Sequence, residues 1–155
     1  MKRFLLIVAF VALGVGVLSA QRVSVGRYVM PTLDAVWLSD RPALNDGKAL
    51  FLEFFHSTNT QCRARVDEVN ELAYTYNNIL NVVVVAREPA EQVASILLHD
   101  YQNAYVAIDE NGDVFKQLEV PHVPYSILIS AQGEVLWIGN PTRLTKATIE
   151  KLLQL

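Results

Sequence analysis

With a single cysteine, Cys62, the chain of 155 residues can close no internal disulfide, so its folded state must rest on packing alone. It also lacks a basic excess: 13 Lys and Arg stand against 16 Asp and Glu, a net charge of -3. No Lys/Arg-rich stripe runs along it, which argues against nucleic acid as a partner. The three histidines have no C-x-x-C or H-x-x-H anchor beside them, and no cofactor motif occurs. No internal repeat and no low-complexity tract interrupts the chain. What is present, 52% apolar and 19% charged residues, is the composition of a globular domain. About 130 residues bury roughly two-thirds of their unfolded surface, enough to need neither disulfide nor metal.

Only one long apolar run exists, residues 4–18, preceded by Lys2 and Arg3 and followed by Ser19-Ala20. Residues 1–20 read as a signal peptide, with Leu18 standing where a small residue is preferred for cleavage. The alternative is a retained anchor, but the run falls short of the ~20 residues of a spanning helix, and Gly14 and Gly16 weaken it. The expectation is a periplasmic or secreted protein with no membrane contact after cleavage. No cysteine follows the run, which argues against a lipid anchor. Export usually brings paired cysteines; a lone Cys62 is then either buried and inert or reactive.

Residues 21–155 form the domain, with 21–46 as an N-terminal extension. A strand is expected over 27–30 and a short helix over 33–38, before the Asp46-Gly47 turn. ALFLEFF (49–55) and LNVVVVA (80–86) are nearly unbroken apolar runs, the pattern of strands covered on both faces. Residues 62–78 carry Val66, Val69, Ala73 and Tyr76 at helical spacing, with Arg63, Arg65, Glu68 and Asn70 on other faces. Pro89 opens a helix through Leu97, ending near His99, and a shorter helix is expected at 114–118. YSILIS and EVLWI around Ala131-Gln132-Gly133 read as a hairpin, and Thr145 caps a last helix bearing Ile149, Leu152 and Leu153. Crossover units followed by a hairpin imply an α/β fold, a mixed central sheet with helices on both faces.

The segment LEFFHSTNTQCR (52–63) resembles the first strand and active-site turn of thioredoxin-like proteins, above all TlpA-like thiol–disulfide oxidoreductases. His122-Val123-Pro124 resembles that family's Gly-Ile/Val-Pro, and WIGNPTRLT its closing strand and loop. The resemblance spans residues 47–155 and implies a thioredoxin-like three-layer sandwich. It places Asn59 at the first cysteine of the family's C-x-x-C pair and Cys62 at the second. The first cysteine is the attacking nucleophile, a task closed to an amide, so the two-cysteine cycle is unavailable within this chain.

Asn is among the best helix N-caps, so Asn59 exchanges a reactive group for a cap; the functional alternative is that it positions a substrate polar group beside Cys62. The helix start favours the Cys62 thiolate, whereas burial opposes it. Glu53 falls where many thioredoxins keep a buried acid and is a candidate acid/base for Cys62; otherwise it points to an edge or pairs with a Lys or Arg. The resemblance makes the Val123–Pro124 bond cis, leaving the Val123 backbone to take an extended peptide as an added strand; the alternative is a tight turn. His56 and His122 could join Cys62 as metal ligands, an arrangement the sequence supports weakly, and no metal is expected. The favoured function is a non-catalytic module holding an extended peptide or protein at the Pro124 edge. The alternative is single-thiol chemistry at Cys62, thiol–disulfide or peroxide-reducing, and a third option is a dimer bridged through Cys62.

Overall fold

The computed structural model describes residues 22–155; the signal peptide expected at 1–20 lies outside them. Every residue of β2 (Ala49–Phe55) and β3 (Leu80–Ala86) is buried, and the two strands pair in parallel at the centre of the sheet. Their β-branched and aromatic side chains suit a strand packed on both faces. Phe51, Phe55, Val82 and Val84 face one side, and Leu50, Leu52, Phe54, Val83 and Val85 the other.

Against the first side pack α2 (Val66–Thr75), α3 (Ala90–Asp100) and α5 (Lys146–Leu152), through Val69, Leu72, Val93, Leu97 and Ile149. Against the second pack α4 (Asp113–Gln117), through Val114, and the extension, through Leu33. The remaining strands are β1 (Val36–Trp37), β4 (Tyr105–Ile108), β5 (Tyr125–Ile129) and β6 (Val135–Gly139). The six-stranded order is β1-β4-β3-β2-β5-β6, with β2, β3 and β4 parallel and the others antiparallel to their neighbours. The result is the expected mixed sheet between helical layers.

Three local expectations are corrected. Residues 33–38 form no helix: Val36 and Trp37 pair with Ile108 and Ala107 as β1, because the edge of β4 offers them backbone partners. Residues 27–30 form a single bridge, Tyr28 to Glu134, rather than a strand. The helix expected over 62–78 is two helices, α1 (Thr60–Ala64) and α2, which meet at Arg65. There the backbone (φ -96°, ψ -3°) departs from a regular helix and the side chain turns into the interior. Strand β4 carried too short an apolar run to stand out between Asn103 and Asp109.

The short α4 is held at its start by Asp109, a buried carboxylate at the end of β4 that accepts from the N–H of Asp113 (2.9 Å) and of Phe115 (3.0 Å). Asp109→Ala strips two helix-start donors of their acceptor and is expected to cost about 1–3 kcal/mol in urea unfolding. An unchanged midpoint would show that solvent replaces the carboxylate there.

Candidate functional site

The carboxyl ends of β2 and β3, the start of α1 and the loop before β5 converge on one end of the sheet. The chain leaves β2 at Phe55 and turns through His56, Ser57 and Thr58 into α1. Glu88, buried just beyond β3, fixes the turn: its carboxylate accepts from the Ser57 N–H (2.9 Å) and from the Ser57 hydroxyl. His56 accepts through Nδ1 from the Thr58 N–H (3.3 Å).

Asn59 then caps α1. Its Oδ1 accepts from the Cys62 N–H at 3.0 Å, and its Nδ2 donates to the Val123 carbonyl at 3.2 Å. One side chain therefore ties the helix start to the loop holding Pro124. The Val123–Pro124 bond is cis. The sequence reading left the whole Val123 backbone open to a partner; in fact its carbonyl is engaged by Asn59. Its N–H has no hydrogen-bond partner among the described residues.

Cys62 is 2% exposed and belongs to the apolar core beneath α1. Its thiol donates to the Phe54 carbonyl at 3.9 Å, a role only the protonated form can fill. Burial pushes the thiol pKa up, outweighing the His56 backbone, which favours the thiolate.

Glu53 (2% exposed) lies on the same face of β2 as Phe51 and Phe55, but its partner is Arg65. Arg65 Nε donates to Oε1 at 2.7 Å, and the guanidinium also bonds Glu68 Oε2 (2.7 Å) and the Pro141 carbonyl (3.4 Å). Desolvation holds the Glu53 carboxyl up to about 7, with the Arg65 charge opposing it. No hydrogen bond joins Glu53 to Cys62 among the described residues. Of the two arrangements left open for Glu53, the geometry is that of the ion pair.

Arg65, expected on a face other than that of Val66, Val69, Ala73 and Tyr76, is buried. The signal was available: Cys62, Arg65, Val69, Leu72 and Tyr76 share one helical stripe, with arginine in an apolar row. Tyr101, ending α3, was also missed. Its ring meets Phe55 edge-on at 5.7 Å, its buried hydroxyl lacks a partner among the described residues, and desolvation drives its pKa far up. His122 packs edge-on against Tyr125 (5.7 Å), and no three His, Cys, Asp or Glu among the described residues are grouped to hold a metal ion. His99 is exposed beside Asp100 at the end of α3.

No protein-family model and no curated protein matches this chain. Solved structures do. A thioredoxin-like protein in its oxidised form aligns at 18% identity, covering 83% of this chain and 96% of its own, with a TM-score of 0.70. The exposed lipoprotein thioredoxin of Streptococcus pneumoniae aligns at 20% identity over 78% and 97%, TM-score 0.67. A secreted disulfide oxidoreductase of Mycobacterium tuberculosis aligns at 22% identity over 77% and 92%, TM-score 0.63. The fold is thioredoxin-like. Among the described residues no helix is long and apolar enough to cross a membrane.

Proposed function

We propose that this chain is an exported thioredoxin-like module that binds an extended peptide or protein segment along Val123 and performs no two-thiol redox cycle. The observation that carries the reading is Asn59: at the helix start, where the resemblance puts a nucleophilic cysteine, an amide caps the helix and braces the Val123 loop. A side chain with both polar ends satisfied has neither a proton to lose nor a thiol to attack with. The unpartnered Val123 N–H remains as a donor for an added strand. Export is supported by the apolar run of residues 4–18 and its flanks.

Two measurements test this. Alkylation of Cys62 in the folded chain is expected to run at least a hundredfold slower than in the denatured chain at pH 8. A fast rate with a midpoint below the usual ~8.5 would mark an activated thiolate and favour single-thiol chemistry. Second, Cys62→Ser is expected to bind extended peptides as the parent does, since the thiol faces Phe54 rather than solvent. Loss of binding in that variant, with the fold intact, would overturn the reading.

A further inference from the structure

Beside Val123 a groove of about 240 Å³ opens on the surface. Its floor is apolar, made by Phe55, Phe115 and Val120, with Phe115 held edge-on against Phe54 at 4.9 Å. The volume is below the ~300–1,000 Å³ of sites that enclose small organic ligands and suits one or two side chains of a larger partner.

The charge on the rim comes from one side chain, Arg87. His56, Arg87 and His122 line it, and no Asp or Glu does. Glu88 stands 3.5 Å from His56 Nδ1 but is buried, with its oxygens taken by Ser57, and the exposed acids Glu110 and Asp113 beside Gly112 form no ion pair with Arg87. Arg87 forms no ion pair and no side-chain hydrogen bond among the described residues. Its guanidinium is laid over Gly112, whose φ of +75° and missing side chain make room; a Cβ there would sit 2.5 Å from Arg87 Nε. An arginine kept close to the protein surface with its donors unspent, above an apolar floor, is suited to a carboxylate carried on an otherwise apolar partner.

We infer that the peptide held along Val123 is acidic, and that it places an Asp or Glu side chain against Arg87 while a neighbouring apolar side chain fills the groove over Phe115. This rests on the docking reading above and adds the chemistry of the partner. In an added strand successive side chains point to opposite faces, so the acidic and the apolar residue that share the groove stand two positions apart. The preference would run against the chain's net charge of -3, which by itself favours a basic peptide.

The test uses the full chain and three fluorescein-labelled, cysteine-free peptides of the pattern Val-Thr-X-Thr-Val-Thr-X, with X as Glu, Gln or Lys, followed by anisotropy. The Glu peptide is expected to bind at least about tenfold tighter than the Lys peptide at low salt, with the gap narrowing in 0.5 M NaCl. Arg87→Gln is expected to bring the two within about threefold, and Arg87→Glu to invert their order; the salt series on the native chain stands even if a variant folds poorly. Equal binding of the Glu and Lys peptides, or a Lys preference, would overturn the acidic assignment while binding of the Gln peptide upholds docking. Failure of all three to bind would remove both.

Discussion

Asn59→Cys is expected to give a chain that reduces insulin with dithiothreitol as electron source, faster than the parent chain does. The N-cap side chain already reaches the first turn, its Oδ1 lying 3.0 Å from the Cys62 N–H, so a sulfur at position 59 is directed toward Cys62. A thiol at the open start of a helix has its pKa lowered, as an attacking cysteine requires. Cys62, buried behind it, is placed to resolve a mixed disulfide rather than to start one. The substitution gives up the cap and the bond to the Val123 carbonyl, at about 1–2 kcal/mol. An internal disulfide, read as a loss of two mass units with no titratable thiol, is the first check, and insulin turbidity the second. A folded variant retaining two free thiols under oxidising conditions would show that positions 59 and 62 are not arranged as the resemblance implies.

Arg65→Met is expected to be the most destabilising substitution of a single polar residue, and its cost should depend on pH. In the native chain burial raises Glu53 from 4.5 to about 7, so the folded state holds this proton more tightly than the unfolded one. The stability this contributes is fully present below about pH 4.5 and is lost as pH rises through about 7. By that linkage the native chain is less stable at pH 8 than at pH 5 by up to about 3 kcal/mol from this group. Removing Arg65 takes away the charge and the hydrogen bond that oppose the shift, driving Glu53 higher still. At pH 8 Arg65→Met should cost about 3–5 kcal/mol, because a buried carboxylate loses its cation. At pH 5, where Glu53 can take up a proton, the cost should be much smaller. Glu53→Gln should flatten the stability profile of the native chain between pH 5 and 8. Urea unfolding at the two pH values decides the matter: equal costs for Arg65→Met at both would assign its role to Glu68 and the Pro141 carbonyl instead.

The central strands were legible because ALFLEFF and LNVVVVA are buried on both faces and leave no polar residue to confuse the pattern, Glu53 and Asn81 excepted. The cap at Thr145, which accepts from the Thr148 N–H at 3.2 Å, followed from local chemistry alone, and the cap at Asn59 from local chemistry together with the resemblance that sets position 59 at a helix start. Contacts between distant segments did not. Glu53 was open equally to a buried-acid role, an edge position or an ion pair, and its cation twelve residues on was placed off the apolar face although its spacing put it in the stripe of Val69 and Leu72. Nothing local marked β1, two residues whose strand character exists only through β4, or the Asn59–Val123 bond across 64 positions. Local sequence specifies elements and caps; which polar groups meet inside the fold depends on how the elements are stacked.

The extension has a bearing on how the molecule behaves in a crowded solution. An uncovered outer strand is a template for the backbone of another molecule, and proteins shield such edges with short strands or stray segments. Here one border of the sheet is β1, only two residues long. At the other, the extension sends the Gly26 N–H to the Val135 carbonyl (2.8 Å), accepts the Val135 N–H at Arg27 (2.7 Å), and adds a bond from Val29 to Gly133 (2.8 Å). Residues 26–29 thus act as a seam along the start of β6, and a chain trimmed to begin after them would bare a strip of unspent backbone next to Met30 and Val135. Self-association through that border, rather than unfolding, is the fault to expect from such a truncation.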